Sequence, residues 1–126
     1  MNTPTQDTNL SLCPYFKINE GCKEKFLEIV GRFCELVKSE EGCIHYGFTF
    51  FGENEAHCRE MYKNGHGALA HFKNVGQTLG EALENASLER LEFHGTQEDW
   101  DICKEALIPL GTKCFILDAR SVRPGV

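Results

Sequence analysis

The sequence predicts a single α+β domain with a ferredoxin-like order of elements, extended at its C-terminus by one further helix and strand. Two long segments with helical apolar spacing, flanked by short runs of alternating residues, predict that order. A length of 126 residues suits one core rather than two, and a 41% apolar fraction with nine Phe is enough to fill it.

Met1–Leu12 is polar and lacks both a basic n-region and an apolar h-region. It reads as a flexible tail, with the domain spanning 13–126. Tyr15–Ile18 alternates briefly and ends at Asn19-Glu20-Gly21, as a short strand and turn do. From Cys22 to about Glu40 the apolar residues Phe26, Ile29, Val30, Phe33 and Val37 recur at helical spacing. Glu40-Glu41-Gly42 closes that helix, with Gly42 expected at the C′ position. Cys43–Phe51 is rich in aromatic and β-forming residues and places Ile44, Tyr46, Phe48 and Phe50 on one face. Gly52–Glu55 makes a hairpin loop, and Ala56–Tyr62 is the returning strand.

His66–Ala86 carries the second helical stripe, including Leu69, Phe72, Val75, Leu79 and Leu83, with His71 beside the first three. Gly76 and Gly80 each cost about 1 kcal/mol there relative to Ala, which predicts a bend or a break. Leu88–His94 is the next strand. Thr96, with Asp99 three residues on, begins a helix over Gln97–Ile108 in the manner of a capping box. Pro109-Leu110-Gly111 stops it, and Cys114–Asp118 is the last strand. Helices on one sheet face leave the other, with its aromatic and mixed polar groups, in need of a partner. A homodimer with two sheets face to face meets that need.

Composition excludes several functions. The net charge is −6, from 19 acids against 13 bases, and no Lys/Arg cluster forms a basic face, so nucleic acid is not expected as a partner. The acids spread over helix surfaces, including Glu40 and Glu41, and read as a solvated face. No apolar run reaches the roughly 20 residues a membrane span needs. The seven cysteines are odd in number and include no C-x-x-C pair. That pattern disfavours both a disulfide framework and a zinc motif, and suits buried thiols in a reducing, cytoplasmic setting. Neither a phosphate-binding glycine loop nor a nucleophile elbow is present.

Within this order, Glu-Glu-Gly followed by Cys43-Ile44-His45-Tyr46 resembles the start of the second strand in antibiotic-biosynthesis-monooxygenase-like domains. Arg59-Glu60-Met61-Tyr62 and Gly67-Ala68-Leu69-Ala70-His71 are similar to that family's following strand and helix motifs, and the resemblance runs from about Tyr15 to His94. It implies a dimeric α/β barrel with a cavity between sheet and helices in each protomer. It further implies a cofactor-independent monooxygenase acting on a small aromatic or quinol-like compound. A related branch degrades haem with a Trp on the strand. Here that strand position is Tyr62 and the single Trp is Trp100, which speaks against haem.

The candidate catalytic residues are His71 and His94, because imidazole exchanges protons near neutral pH as phenol oxidation requires. His94 lies in phase with Arg90 and Glu92, a polar row that binds a ligand only if its face lines the cavity. The substrate-binding candidates are Tyr46, Glu60, Tyr62, Arg90 and Phe72. No metal or cofactor site is expected. The alternative is a non-catalytic ligand-binding or structural homodimer, in which the Tyr46–Phe50 row is core or interface and Glu60 a structural pair.

Overall fold

The computed structural model describes residues 3–125. Its elements are β1 (Thr5–Gln6), β2 (Leu10–Ile18), α1 (Lys23–Val37), β3 (Cys43–Phe51), β4 (Glu55–Tyr62), α2 (Gly65–Asn85), β5 (Ala86–Gly95), α3 (Gln97–Leu107), a 3₁₀ turn (Ile108–Leu110), β6 (Lys113–Ile116) and β7 (Val122–Arg123). From β2 to β5 this is the ferredoxin-like order. The sheet runs β3-β4-β2-β5-β6, antiparallel except for the β5–β6 pair, which the α3 crossover makes parallel. β1 and β7 form a small sheet of their own. No helix among the described residues is long and apolar enough to cross a membrane.

Three helices cover one sheet face. Phe26, Ile29 and Phe33 of α1 and Val75 and Ala82 of α2 pack on Phe16 and Ile18. Leu10, Leu12, Tyr62, Ala68, Leu91 and Phe93 make a second cluster that Cys103 and Leu107 of α3 complete. The added helix therefore finishes the core rather than decorating it.

Several boundaries differ from the sequence reading, each for a physical reason. The tail expected over 1–12 is ordered from Leu10 onward as part of the central strand, with Leu10 and Leu12 fully buried. Pro14 hides this strand in the sequence, because proline cannot donate to a ladder. The chain accommodates it with a register shift against β5 just after it, between Tyr15 and Phe16. α2 is one continuous helix despite Gly76 and Gly80, both of which face open space. Its buried stripe outweighs their propensity cost.

Gly42 is not a left-handed helix cap, since α1 ends at Val37 and closes with i→i+3 bonds from the Lys38, Ser39 and Glu40 amides. Its role is close approach. A Cβ on Gly42 would sit 2.7 Å from the Cα of Gly67, so the start of β3 and the first turn of α2 meet backbone to backbone.

The helix starts are built as caps. Asn64 Oδ1 accepts from the Gly67 amide at 2.9 Å, and Thr96 Oγ1 accepts from the Asp99 amide at 3.1 Å. Asp99 does not return the bond to Thr96. Its carboxylate accepts from the buried Gly65 amide at 2.8 Å and so ties α3 to the start of α2. Asp99→Ala leaves that amide without a partner, and should lower stability by about 1–3 kcal/mol in urea unfolding. An unchanged midpoint would show that this tie carries no weight.

Candidate functional site

The buried stripe of α2 is Ala68, His71, Val75 and Ala82, so His71 stands in the stripe and not beside it. The helix aims this imidazole into the core, where it meets two carboxylates. Nδ1 lies 2.9 Å from Glu40 Oε2, at the end of α1, and Nε2 lies 3.6 Å from Glu60 Oε1, on β4. The first contact is a hydrogen bond and the second is too long to be one. Glu40 Oε2 also accepts from Asn74 Nδ2 at 2.8 Å, and the same amide donates to the Leu36 carbonyl at 3.0 Å. Glu40 is thus an acceptor held from two sides, which puts the imidazole hydrogen on Nδ1 and leaves the Nε2 lone pair facing Glu60. The Gly42–Gly67 contact brings the two chain segments near enough for this dyad.

Electrostatics follow from burial. Glu60 is 6% exposed, and desolvation raises its carboxyl to about 7, although the Tyr62 hydroxyl donates to it at 2.7 Å and works against the rise. The His71 imidazole is lowered by the same desolvation, partly offset by its bond to Glu40. Near neutral pH the array therefore holds a neutral imidazole, able to accept a proton at Nε2, beside a carboxyl near its midpoint. Burial likewise raises the Tyr46 and Tyr62 phenols, which stay protonated.

His71 and Glu60 line one part of a cavity between the sheet and α2. The rest is apolar, from Leu12, Pro14 and Phe16 of β2, Phe33, Tyr46 and Phe48, Phe72, Val75 and Leu79 of α2, and Leu88 and Leu91 of β5. Leu110, from the C-terminal addition, completes the wall. The volume is about 50 Å³, room for water but not for a ring. A larger ligand enters only when partly exposed wall residues such as Phe72, Leu79 and Leu110 turn outward.

Among the sequence candidates, His71, Glu60, Tyr46 and Phe72 come together at this cavity. Tyr62 lies fully buried behind Glu60 as its hydrogen-bond donor. Arg90 and His94 do not join them. Leu91 and Phe93 point to the helices, so by strand alternation Arg90, Glu92 and His94 occupy the opposite sheet face. Glu40 and Asn74 escaped the sequence reading. Glu40 reads as one more acid on a solvated helix face, and its partner His71 is 31 residues away, beyond any local pattern. The family-like Glu-Glu-Gly helix end was the one signal at its position.

The fold is that of the antibiotic-biosynthesis-monooxygenase-like proteins. Within it, the chain belongs to the family of MupZ from Pseudomonas fluorescens, a solved structure with which it shares 35% identity and a TM-score of 0.86, over 95% of this chain and 98% of MupZ. A Bacteroides thetaiotaomicron protein described as a possible oxidoreductase is 26% identical, with a TM-score of 0.63 over 68% of this chain and 95% of its own. An antibiotic biosynthesis monooxygenase shares the fold at 10% identity and a TM-score of 0.59, over 67% of this chain and 92% of its own. No family model matches the sequence, and no curated protein does.

The raised Glu60 carboxyl makes stability depend on pH in a definite direction. The folded chain keeps this proton up to about pH 7, whereas the unfolded chain releases it near the ordinary 4.5. Folding therefore binds a proton between those values, and this contribution to stability is lost as pH rises through the window. Glu60→Gln should remove that slope and be the more stable form above pH 7. Parallel pH dependences for the two proteins in urea unfolding would contradict the assignment.

Proposed function

We propose that the chain is an acid–base enzyme that begins its reaction by taking a proton from a small, largely apolar substrate, and that the reaction is a monooxygenation needing no cofactor. The observation that carries this reading is the Glu40–His71–Glu60 array at the wall of an otherwise apolar cavity. His71 Nε2 is the base, and Glu40 orients the ring and stabilises the imidazolium that forms. A phenol or quinol-like aromatic suits such a site. Its ring packs on Phe16, Phe48 and Phe72, while its acidic hydrogen lies toward His71.

With a ring-activated CH₂ as the reacting group, the deprotonated substrate reduces dioxygen and forms a C–O bond to give a hydroperoxide. Loss of water then leaves a carbonyl. The balance is CH₂ plus O₂ giving C=O plus H₂O, with protons passed through His71 and Glu60. The related possible oxidoreductase and the monooxygenase of the same fold support this direction.

One observation favours a second reading. A carboxyl near its midpoint next to a neutral imidazole is an acid and a base in a single site, which also serves a proton-transfer or hydrolytic reaction without oxygen. We further infer that a second copy covers the open sheet face, where Phe51 is 77% exposed and Tyr15 lies flat between His57 and Arg90. All seven cysteines are free thiols, which supports a cytoplasmic, reducing setting.

Oxygen uptake with a panel of hydroquinones and anthrone-like compounds tests the first reading. Turnover above the spontaneous rate should fall by about 10²-fold or more in His71→Ala. Glu40→Gln should lower kcat with little change in KM, because it orients the base and does not touch substrate. Conversion that persists without oxygen would replace the oxygenase reading with the second one. Absence of any turnover in the folded protein would leave a ligand-binding module.

A further inference from the structure

The sheet face away from the helices carries a second cluster of chemically capable side chains, separated from the cavity by the sheet itself. Cys13 on β2 stands directly opposite Glu92 on β5, and His94 follows two residues later on the same face. Their ligand-type atoms, a thiol sulfur, a carboxylate oxygen and an imidazole nitrogen, all lie within 4.8 Å of one another. The sequence gives no hint of this, because Cys13 is far from the other two along the chain and only the strand pairing joins them.

The cluster is held firmly. Glu92 is 6% exposed and accepts from His94 Nε2 at 3.0 Å and from Arg90. The His94 ring is clamped by a parallel stack on Phe115, 4.6 Å between centroids and 4° between planes. Arg90 itself lies over the Tyr15 ring at 4.8 Å, which gives it a resting place besides the carboxylate. Ligands on paired strands of a central sheet have little freedom to drift.

We propose that Cys13, Glu92 and His94 form a binding site for a divalent transition metal of the zinc type, set within the sheet face that a second copy covers, with the fourth position left to water or to a group of that copy. Sulfur, nitrogen and oxygen are the donors zinc accepts, and three protein ligands with one free position is the pattern of its open sites. Tetrahedral bonds of about 2.0–2.3 Å place ligand atoms roughly 3.5 Å apart, so side-chain torsions close the remaining gap while the strands stay in place. On binding, the Cys13 thiol gives its proton to water, the thiolate sulfur takes the metal, and Arg90 leaves the Glu92 oxygen for the Tyr15 ring. The site is independent of His71, so it stands or falls apart from the proposed reaction.

The test uses the purified full chain, stripped with chelator, and titrated with cobalt(II) as a spectroscopic probe and zinc(II) as competitor. One equivalent of cobalt should give a thiolate-to-metal charge-transfer band that zinc abolishes. Cys13→Ser should lose the band, and His94→Ala should weaken binding at least as much as loss of a supporting contact does, about 10–100-fold. Arg90→Ala should tighten binding, because it removes the cation that competes for Glu92. Saturating zinc should raise the Tm of the wild type and not of Cys13→Ser. All three side chains lie on the sheet face away from the helices, and circular dichroism of the metal-free variants checks that they remain folded. Absence of a charge-transfer band would overturn the site, as would binding unchanged in both Cys13→Ser and His94→Ala, which would assign the metal to other thiols.

Discussion

Three ionisable side chains share one buried, mostly apolar space, and the rest of the site is arranged around what that space permits. A carboxylate or an imidazolium taken from water without compensation costs several kcal/mol, so Glu40, His71 and Glu60 cannot all carry charge without partners. The structure answers with hydrogen-bond donors in place of water. Asn74 and the imidazole N–H satisfy Glu40, and the Tyr62 hydroxyl satisfies Glu60. What remains without a hydrogen bond is His71 Nε2, which lies 3.6 Å from Glu60 Oε1. A chain that only needed a stable core would gain by filling this place with hydrocarbon. The array places a titratable pair there instead.

Each member of the array comes from a different element, which explains why the fold has to be complete before the site exists. Glu40 follows the last turn of α1, His71 sits in the second turn of α2, and Glu60 is on β4, whose alternation also sends Tyr62 and Cys58 toward the helices. The sheet fixes Glu60, while the helices fix the dyad above it. Their mutual distance depends on how closely α2 can approach the α1–β3 connection, and two glycines without side chains set that limit. The central strand matters in a different way. β2 pairs with both β4 and β5, so its burial from Leu10 onward anchors the strand that bears Glu60 on one face and the strand that bears Glu92 and His94 on the other.

The ferredoxin-like order was legible because its signals are local and strong. The Phe26–Ile29–Phe33 stripe, the alternation through Tyr46, Phe48 and Phe50, and the Thr96 cap all report on their own neighbourhoods. Where a local rule competed with packing, packing prevailed, as at Pro14 in the central strand and at Gly76 and Gly80 in α2. The site was legible in part, through His71 and Glu60, since each falls in a short motif. Glu40 and Asn74 were not, because a surface acid and a buried one look alike until the fold supplies the partner. His94 and Arg90 show the same limit. Alternation placed them together on one strand face, and only the position of the helices could say which face lines the cavity.

Leu110 has a consequence for how such a protein diversifies. One residue of the cavity wall comes from outside the six-element unit, whereas Glu40, His71 and Glu60 lie wholly within it. The shape of the pocket is therefore set in small part from outside that unit, while most of its wall lies within it. The same segment also completes the core through Cys103 and Leu107 and holds the start of α2 through Asp99, so a change of wall at Leu110 must keep those contacts for His71 to stay in place. Variation of the pocket from this end of the chain is thus confined to the turn that bears Leu110, because the helix before it is committed to the core.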